Sequence, residues 1–227
     1  MIFSLGHSTH SIEDFTAICR VAGIDKIIDV RSHPGSRHSP QWNREQCSRW
    51  LPAAGIDYEW WPSLGGWDVR HAPLRDAMLR HGLDLAPYLG GAFPKQRIAA
   101  KLAPAGDKPI WTTAGFADFQ YFMTIPEFRD GLRELEDRFA EPDTARVAMI
   151  CCEALYFKCH RSMVADALFT HGVGCAHITP RLTKKFGWRV SHKIHADAIG
   201  NRLERYEDGI VAGWAEHACE CCHQEAA

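Results

Sequence analysis

The sequence predicts an α/β protein with a mostly parallel open sheet of about five strands and helices on both faces. Apolar segments of strand length alternate with amphipathic segments in the order β-α-β-α-β, which is typical of parallel strands joined by crossover helices. The chain has 227 residues, of which 46% are hydrophobic and 24% are charged, enough for one such domain with extensions. We assign this single domain to residues 1–180. Residues 181–227 form a C-terminal extension that is basic at first and then rich in cysteine and histidine.

The first part of the chain accounts for three strands and two helices. Three segments have the length and apolar content of strands: residues 2–5, 24–30 and 57–61. The first helix begins after Ser11, a favourable N-cap, and ends at Gly23. A second helix is predicted near residues 43–54.

The second part is less regular. Glycines and prolines interrupt residues 62–109, which predicts loops and short helices, and residues 109–113 have the pattern of a short strand. Thr124 starts a capping box before the next helix. Two further strands, at residues 146–152 and 174–178, flank a helix that begins near Arg161.

The charge balance limits the classes of partner. With 26 basic and 28 acidic residues there is no global positive field to hold nucleic acid. One local segment is basic and contains Arg181, Lys184, Lys185, Arg189 and Lys193. We interpret it as a solvated loop, and the alternative is a nucleic-acid-binding module. No apolar run is long enough to span a bilayer, and the N-terminus lacks the pattern of a signal peptide. We therefore expect a cytoplasmic protein with no membrane partner.

Three polar clusters follow predicted strands. They are Gly6-His7-Ser8, Asp29-Val30-Arg31-Ser32 and the segment 151–162. The carboxyl ends of parallel strands share one edge of a sheet, where helix N-termini also point their amides. The coincidence of three clusters therefore predicts a functional site at that edge.

The third cluster contains the most reactive side chains. Cys159 precedes a helix start and Arg161, and both features favour a thiolate. Arg161 and the helix amides are suited to an anionic group, and His160 or His7 is suited to carry a proton. In the alternative interpretation, Cys151 and Cys152 are small core residues and the histidine is a structural hydrogen-bonding group. Glu153 then pairs with Arg31 or Arg161.

In its ordered set of motifs the chain resembles the domain-of-unknown-function-488 family. The motifs are Gly-His-Ser near the start, Asp-Val-Arg-Ser followed by Pro34, Gly65-Gly66, Cys-x-Glu-x5-Cys-His-Arg, and His177-Ile178. The resemblance implies a compact α/β domain in which these positions form the signature, and it implies no reaction. A weaker likeness is to rhodanese sulfurtransferases, although the compact anion-binding loop of that class is lacking here. It leaves persulfide chemistry at Cys151 or Cys159 as an alternative.

The C-terminal tail carries a second group of metal-ligand types. Cys219 and Cys222 have the spacing of a chelating pair, with further ligands at His217, Cys221 and His223. We interpret Cys219, Cys221, Cys222 and His223 as candidate ligands for zinc or iron. The alternative is a frayed or redox-sensitive terminus.

Together these patterns predict a hydrolase or group transferase acting on an anionic or nucleotide-like small substrate. The candidate catalytic residues are Cys151, Glu153, Cys159, His160, His7 and Asp29. The candidate substrate-binding residues are Ser8, Arg31, Arg161, Ser162, Gly65 and Gly66. A metal-binding enzyme or regulator, a nucleic-acid-binding module and a rhodanese-like sulfurtransferase remain the alternatives.

Overall fold

A computed structural model describes residues 1–65, 116, 119–120, 122–123, 126–139, 145–206 and 211. Within this part of the chain the strands are β1 (Ile2–Gly6), β2 (Lys26–Asp29), β3 (Asp57–Trp60), β4 (Val147–Cys151), β5 (Cys175–Thr183) and β6 (Gly187–Ile194). The α-helices are α1 (Ile12–Ala22), α2 (Arg44–Ala53), α3 (Pro126–Phe139), α4 (Arg161–Thr170) and α5 (His195–Ile199). Short 3₁₀ turns cover Pro40–Trp42, Pro62–Leu64, Tyr156–Lys158 and Arg202–Arg205.

The described strands form one six-stranded sheet in the order β3-β2-β4-β1-β5-β6. Every neighbouring pair is parallel except β5 and β6, which form an antiparallel hairpin. The chain passes from β1 through α1 to β2, leaving a gap in the sheet that β4 later fills. The carboxyl ends of β1, β2 and β4 therefore lie side by side at one edge.

Local sequence signals explain where the first helix begins and ends. The Ser11 side chain accepts a hydrogen bond from the backbone N–H of Asp14 at 3.1 Å, as expected of an N-cap. Gly23 has a φ of 66° and its N–H donates to the carbonyls at the helix end, a conformation that favours glycine. Both predicted ends of α1 are thus confirmed.

The helices cover both faces of the sheet, as predicted. Phe15 and Ile18 of α1 and Leu51 of α2 pack against one face with Phe3, Leu5 and other residues of the strands. On the opposite face, residues of α3 and α4 pack against Ile2, Ile28 and Met149. Because side chains alternate across a strand, polar residues at the sheet edge are also divided between the α1/α2 face and the α3/α4 face.

The structure adds one strand to the predicted set and changes the interpretation of the basic segment. Residues 181–193 are not a loop but part of the β5–β6 hairpin, with Arg181 opposite Arg189 in the register. The pairing continues past residue 180, the expected end of the domain. The relevant signal is the alternation of Trp188, Val190 and Ile194, which pack partly against the α1/α2-face core. The basic residues between them make this alternation, which is typical of a strand, difficult to recognise in the sequence.

Outside the described residues lie the loops and short helices expected over residues 66–109, the strand at 109–113, the capping box at Thr124 and the cysteine-rich tail. Among the helices that are described, none combines the length and the apolar character needed to cross a bilayer.

Candidate functional site

The three predicted polar clusters adjoin one another at the carboxyl edge of the sheet. The backbone N–H groups of His7 and Ser8 donate to the carbonyls of Cys151 and Cys152, each at 3.0 Å. On the other side of β4, the N–H of Val30 donates to the carbonyl of Ile150 at 3.2 Å. The segments that follow β1, β2 and β4 are therefore held together by main-chain bonds.

Two backbone features mark the end of β1. A Cβ at Gly6 would overlap the carbonyl oxygen of Glu153 and lie 2.9 Å from the Cα of Ala154, so this close approach requires glycine. Ser8 has a φ of 47°, in the left-handed region that few residues other than glycine occupy. Strained positions of this kind occur often at functional sites.

On the α1/α2 face, Asp29, Arg31 and His7 form one connected group. Both carboxylate oxygens of Asp29 accept from the Arg31 guanidinium, at 2.8 Å from Nε and 2.6 Å from Nη2, and Tyr58 donates to the same carboxylate at 2.8 Å. Arg31 Nη1 lies 3.0 Å from Nε2 of His7, whose ring stacks on Trp42. The charge of Arg31 is therefore matched by Asp29.

His7 is neutral in this group. Its Nδ1 donates to the carbonyl of Ser8 at 2.9 Å, so Nε2 is free to accept from Arg31. Burial and then the positive charge of Arg31 lower the pKa of His7 to about 3. Burial and the Asp29 charge raise the pKa of Tyr58, which keeps its hydroxyl protonated as the donor.

On the α3/α4 face, Cys151, Cys159 and His160 form what we term the thiol–imidazole cluster. The Nδ1 atom of His160 lies 3.8 Å from the sulfur of Cys151 and 3.7 Å from the sulfur of Cys159. Its Nε2 lies 3.1 Å from the carbonyl of Val30, at the end of β2. A carbonyl can only accept, so Nε2 carries the hydrogen and Nδ1 presents a lone pair to both sulfurs.

Arg161 lies in the first turn of α4, contacts this cluster through Cys159 and is 1% exposed. Its Nε donates to the sulfur of Cys159 at 3.3 Å, Nη1 to the hydroxyl of Ser4 at 3.0 Å, and Nη2 to the carbonyl of Glu153 at 2.6 Å. No carboxylate of the described residues forms an ion pair with it. The guanidinium charge is therefore balanced by dipoles and by the sulfur of Cys159.

The three neighbouring thiols differ in their acidity. Burial opposes ionisation of Cys159, but its hydrogen bond with Cys151 and the positive charge of Arg161 prevail and lower its pKa well below the usual value. Hydrogen bonds with Cys152 and Cys159, together with burial, raise the pKa of Cys151. Cys152 is exposed, and its contact with Cys151 lowers its pKa to about 7.

The other predicted site residues have varied surroundings. The Glu153 side chain is exposed, and only its carbonyl bonds to Arg161. Ser162 is buried and donates to the carbonyl of Cys159, while its own oxygen accepts from Arg202. A Cβ at Gly65 would lie 2.8 Å from the backbone nitrogen of Ser32, so this glycine supports the loop after β2. Gly66 and the tail ligands Cys219, Cys221, Cys222 and His223 lie outside the described residues.

A buried relay beside the cluster was not anticipated from the sequence. The carboxylate of Asp166 accepts from Nε2 of His195 at 2.9 Å, and Nδ1 of His195 lies 2.9 Å from Nε2 of His177. Asp166 also accepts from Arg202 and Tyr206. Burial opposes ionisation of Asp166, but its bonds to His195 and Arg202 prevail and lower its pKa. The sequence feature that could have revealed this relay is Asp166, an aspartate within the apolar helix that begins at Arg161.

The thiol–imidazole cluster also has the composition of a metal site. The two sulfurs and one ring nitrogen all lie within 4.8 Å of one another. Cysteine sulfur and imidazole nitrogen are the usual ligands of zinc and of other borderline-soft ions. Among the described residues, this is where potential metal ligands of these types converge.

The fold and the edge cluster together define an α/β protein with a mostly parallel sheet and a thiol–imidazole group where β2, β4 and α4 meet. A family model described as "Domain of unknown function DUF488" matches residues 11–81. This match confirms the resemblance predicted from the motifs, over a segment that contains Asp29, Arg31 and Gly65. Searches of curated proteins and of solved structures found no match to the chain.

Proposed function

We propose that the chain is an enzyme of the hydrolase or group-transfer class whose reacting centre is the thiol–imidazole cluster. The observation that supports this most directly is that two sulfurs face the lone pair of one imidazole nitrogen, at 3.7 and 3.8 Å. An imidazole beside a thiol or a bound water is the arrangement that removes a proton from a nucleophile. The Val30 carbonyl holds the ring in the tautomer this requires.

Charge at the cluster supports an anionic substrate. Arg161 is buried and lacks a carboxylate partner among the described residues, and a buried charge is costly unless a counter-charge lies nearby. Negative charge that develops at Cys159, or that a substrate brings beside it, offsets this cost. In contrast, Asp29 already neutralises Arg31, which therefore supports the edge rather than the substrate.

The substrate would reach the cluster from its exposed side. Cys152 and Glu153 are exposed where β4 ends, next to the buried sulfur of Cys151. This geometry is compatible with a small anionic or nucleotide-like molecule whose reacting atom approaches the cluster from solvent. We further propose that the protein works in the cytoplasm, because a reducing compartment keeps such closely spaced cysteines as thiols.

A panel of substrate classes tests this proposal. Purified protein is assayed with phosphate monoesters, phosphodiesters, carboxylic esters and nucleotides, and for sulfur transfer from thiosulfate to cyanide. For the class that is turned over, we expect Cys159→Ala and His160→Ala to lower kcat/KM by at least about 100-fold. Cys19→Ala is the matched control, since Cys19 is a buried free thiol in α1 on the opposite face. Folded variants that retain turnover, or a panel without any turnover, would count against the proposal.

A second candidate function is suggested by the β5–β6 hairpin. β1 pairs only with residues 175–177 of β5, so the remainder of the hairpin extends beyond it. Residues 179–194 contain five basic and no acidic residues, and the tip exposes Leu182 and Phe186. Lys185 and Arg189 lie over the ring of Phe186, at 5.2 and 4.8 Å from its centroid. Cationic and aromatic groups in this arrangement suit a single-stranded nucleic acid.

Binding of labelled single-stranded RNA and DNA, followed by fluorescence anisotropy at two salt concentrations, tests this second function. Replacing Lys184, Lys185 and Arg189 by alanine should weaken binding and reduce its salt dependence. Arg133→Ala, an exposed basic residue on α3, is the control. If the triple variant binds as tightly as the control, the hairpin has no such role.

A further inference from the structure

We infer that Cys151, Cys159 and His160 together bind one zinc ion. The first reason is that three atoms of the types that bind zinc converge on one point. The sulfurs of Cys151 and Cys159 lie 3.8 and 3.7 Å from Nδ1 of His160. Cysteine sulfur and imidazole nitrogen are usual zinc ligands. Both sulfurs would bind an ion between the three atoms as thiolates, after losing any proton they carry, and the nitrogen would bind it through its lone pair.

The separations fit a tetrahedral ion. Bonds of about 2.3 Å to sulfur and about 2.0 Å to nitrogen at tetrahedral angles place sulfur and nitrogen about 3.5 Å apart. The two sulfur–nitrogen distances in the cluster are 3.8 and 3.7 Å, and all three ligand atoms lie within 4.8 Å of one another. The two sulfur–nitrogen distances therefore exceed the tetrahedral value by only about 0.2–0.3 Å.

The hydrogen bonds that neighbouring groups make with the three ligand residues are also typical of a metal site. A histidine that binds metal through one nitrogen commonly donates the other N–H to a carbonyl or carboxylate, which sets its orientation. Val30 supplies this carbonyl to Nε2 of His160. Arg161 donates Nε–H to the sulfur of Cys159 and is itself fixed by Ser4 and Glu153. The cluster is thus held in place before any ion binds.

Three protein ligands leave the fourth tetrahedral position open, which is typical of catalytic rather than structural zinc. With two thiolates, a divalent ion and Arg161, the centre has one net positive charge, so the open position favours hydroxide or an anionic group. This use of the site rests on the proposed function. An ion there would supply an activated water, and the thiols would then be ligands rather than nucleophiles.

Metal content of the full chain tests the inference, with the tail controlled separately. Protein loaded with zinc and freed of excess is analysed by elemental analysis, and cobalt(II) is used as a spectroscopic probe of thiolate ligation. In the background Cys219→Ser/Cys222→Ser, which removes the chelating pair of the tail, we expect one equivalent of zinc and a thiolate-to-cobalt absorption band. Adding Cys151→Ala, Cys159→Ala or His160→Ala should lower zinc affinity at least 100-fold in a chelator competition. Cys19→Ala should leave it unchanged.

Each outcome separates this inference from the proposed function. Zinc retained by the tail-deficient chain and lost on Cys159→Ala supports the site even if no substrate is turned over. Folded, tail-deficient protein that binds no zinc overturns it, and so does preferential retention of iron. Turnover that depends on Cys159 but is unaffected by removal of metal would overturn the catalytic use of the ion, while leaving the proposed enzyme class in place. Circular dichroism of each variant confirms that loss of metal is not loss of fold; if His160→Ala unfolds, Cys151→Ala decides.

Discussion

The Gly6→Ala substitution tests the geometry on which the whole edge depends. The added Cβ would overlap the carbonyl oxygen of Glu153 and would lie 2.8 Å from its carbonyl carbon and 2.9 Å from the Cα of Ala154. These are backbone atoms, so no side chain can rotate away. The segment after β4 would have to move by about 1 Å to restore ordinary contact distances. That movement stretches the two bonds from His7 and Ser8 to the carbonyls of Cys151 and Cys152.

The cost follows from these contacts. Overpacking against a rigid neighbour costs about 1–3 kcal/mol, and each weakened backbone bond adds about 1 kcal/mol, so we expect a loss of about 3–5 kcal/mol. For a chain of this size such a loss lowers the Tm by about 6–20 °C. Urea denaturation followed by circular dichroism measures it. Gly35→Ala is the control, because a Cβ there meets nothing within 4 Å and its φ is not positive. A Gly6→Ala protein within 1 kcal/mol of the control would refute the close approach.

Two further substitutions probe the buried polar groups. Burial, with the positive charges of His195 and Arg161, lowers the pKa of His177 to about 3, so the native chain binds one proton fewer than the unfolded chain between pH 3 and 6.5. The stability it contributes is therefore complete above pH 6.5 and is lost as pH falls, with a slope of up to about 1.4 kcal/mol per pH unit. Unfolding free energies at pH 5, 6 and 7 should show a smaller slope for His177→Gln, and equal slopes would contradict this. Tyr58→Phe removes the donor to Asp29 and should cost about 1 kcal/mol in urea denaturation, an unchanged midpoint being the contrary result.

The positions of the site segments could be predicted from sequence because they depend on local rules. Short apolar runs alternating with capped helices require parallel strands, and parallel strands place the residues after Gly6, Asp29 and Cys151 at one edge. The pairing of Asp29 with Arg31 was also readable, since residues two apart at a strand end share a face. Arg31 stays a predicted substrate-binding residue, and the structure adds that its guanidinium is paired with Asp29.

What could not be predicted depends on register and on packing between distant segments. Tyr58 reaches Asp29 because of the pairing between β2 and β3, and Val30 orients His160 across β4. No periodicity within one segment reveals such a contact. The same is true of the relay from Asp166 to His177, whose members come from a helix, a strand and the segment after β6.

The two buried guanidinium groups differ in how their positive charges are balanced. Asp29 is fully buried and forms a two-bond pair with Arg31, whereas Arg161 has dipoles and a sulfur as its partners. Asp29→Asn removes the counter-charge of Arg31 and should cost about 3–5 kcal/mol, the usual penalty for an unpaired buried charge. Because the double variant Asp29→Asn/Arg31→Met leaves no charge behind, it should be more stable than Asp29→Asn alone.

A double-mutant cycle by urea denaturation measures this coupling directly. Strictly additive effects of the two substitutions would mean that Arg31 is not neutralised by Asp29, and that its charge is available to the site. A coupling of about 2 kcal/mol or more would mean the opposite. The positive charge beside the thiol–imidazole cluster would then come from Arg161, because Asp29 neutralises the charge of Arg31 on the other face of the sheet. An anion drawn to this edge would consequently be attracted toward Cys159 and not toward His7.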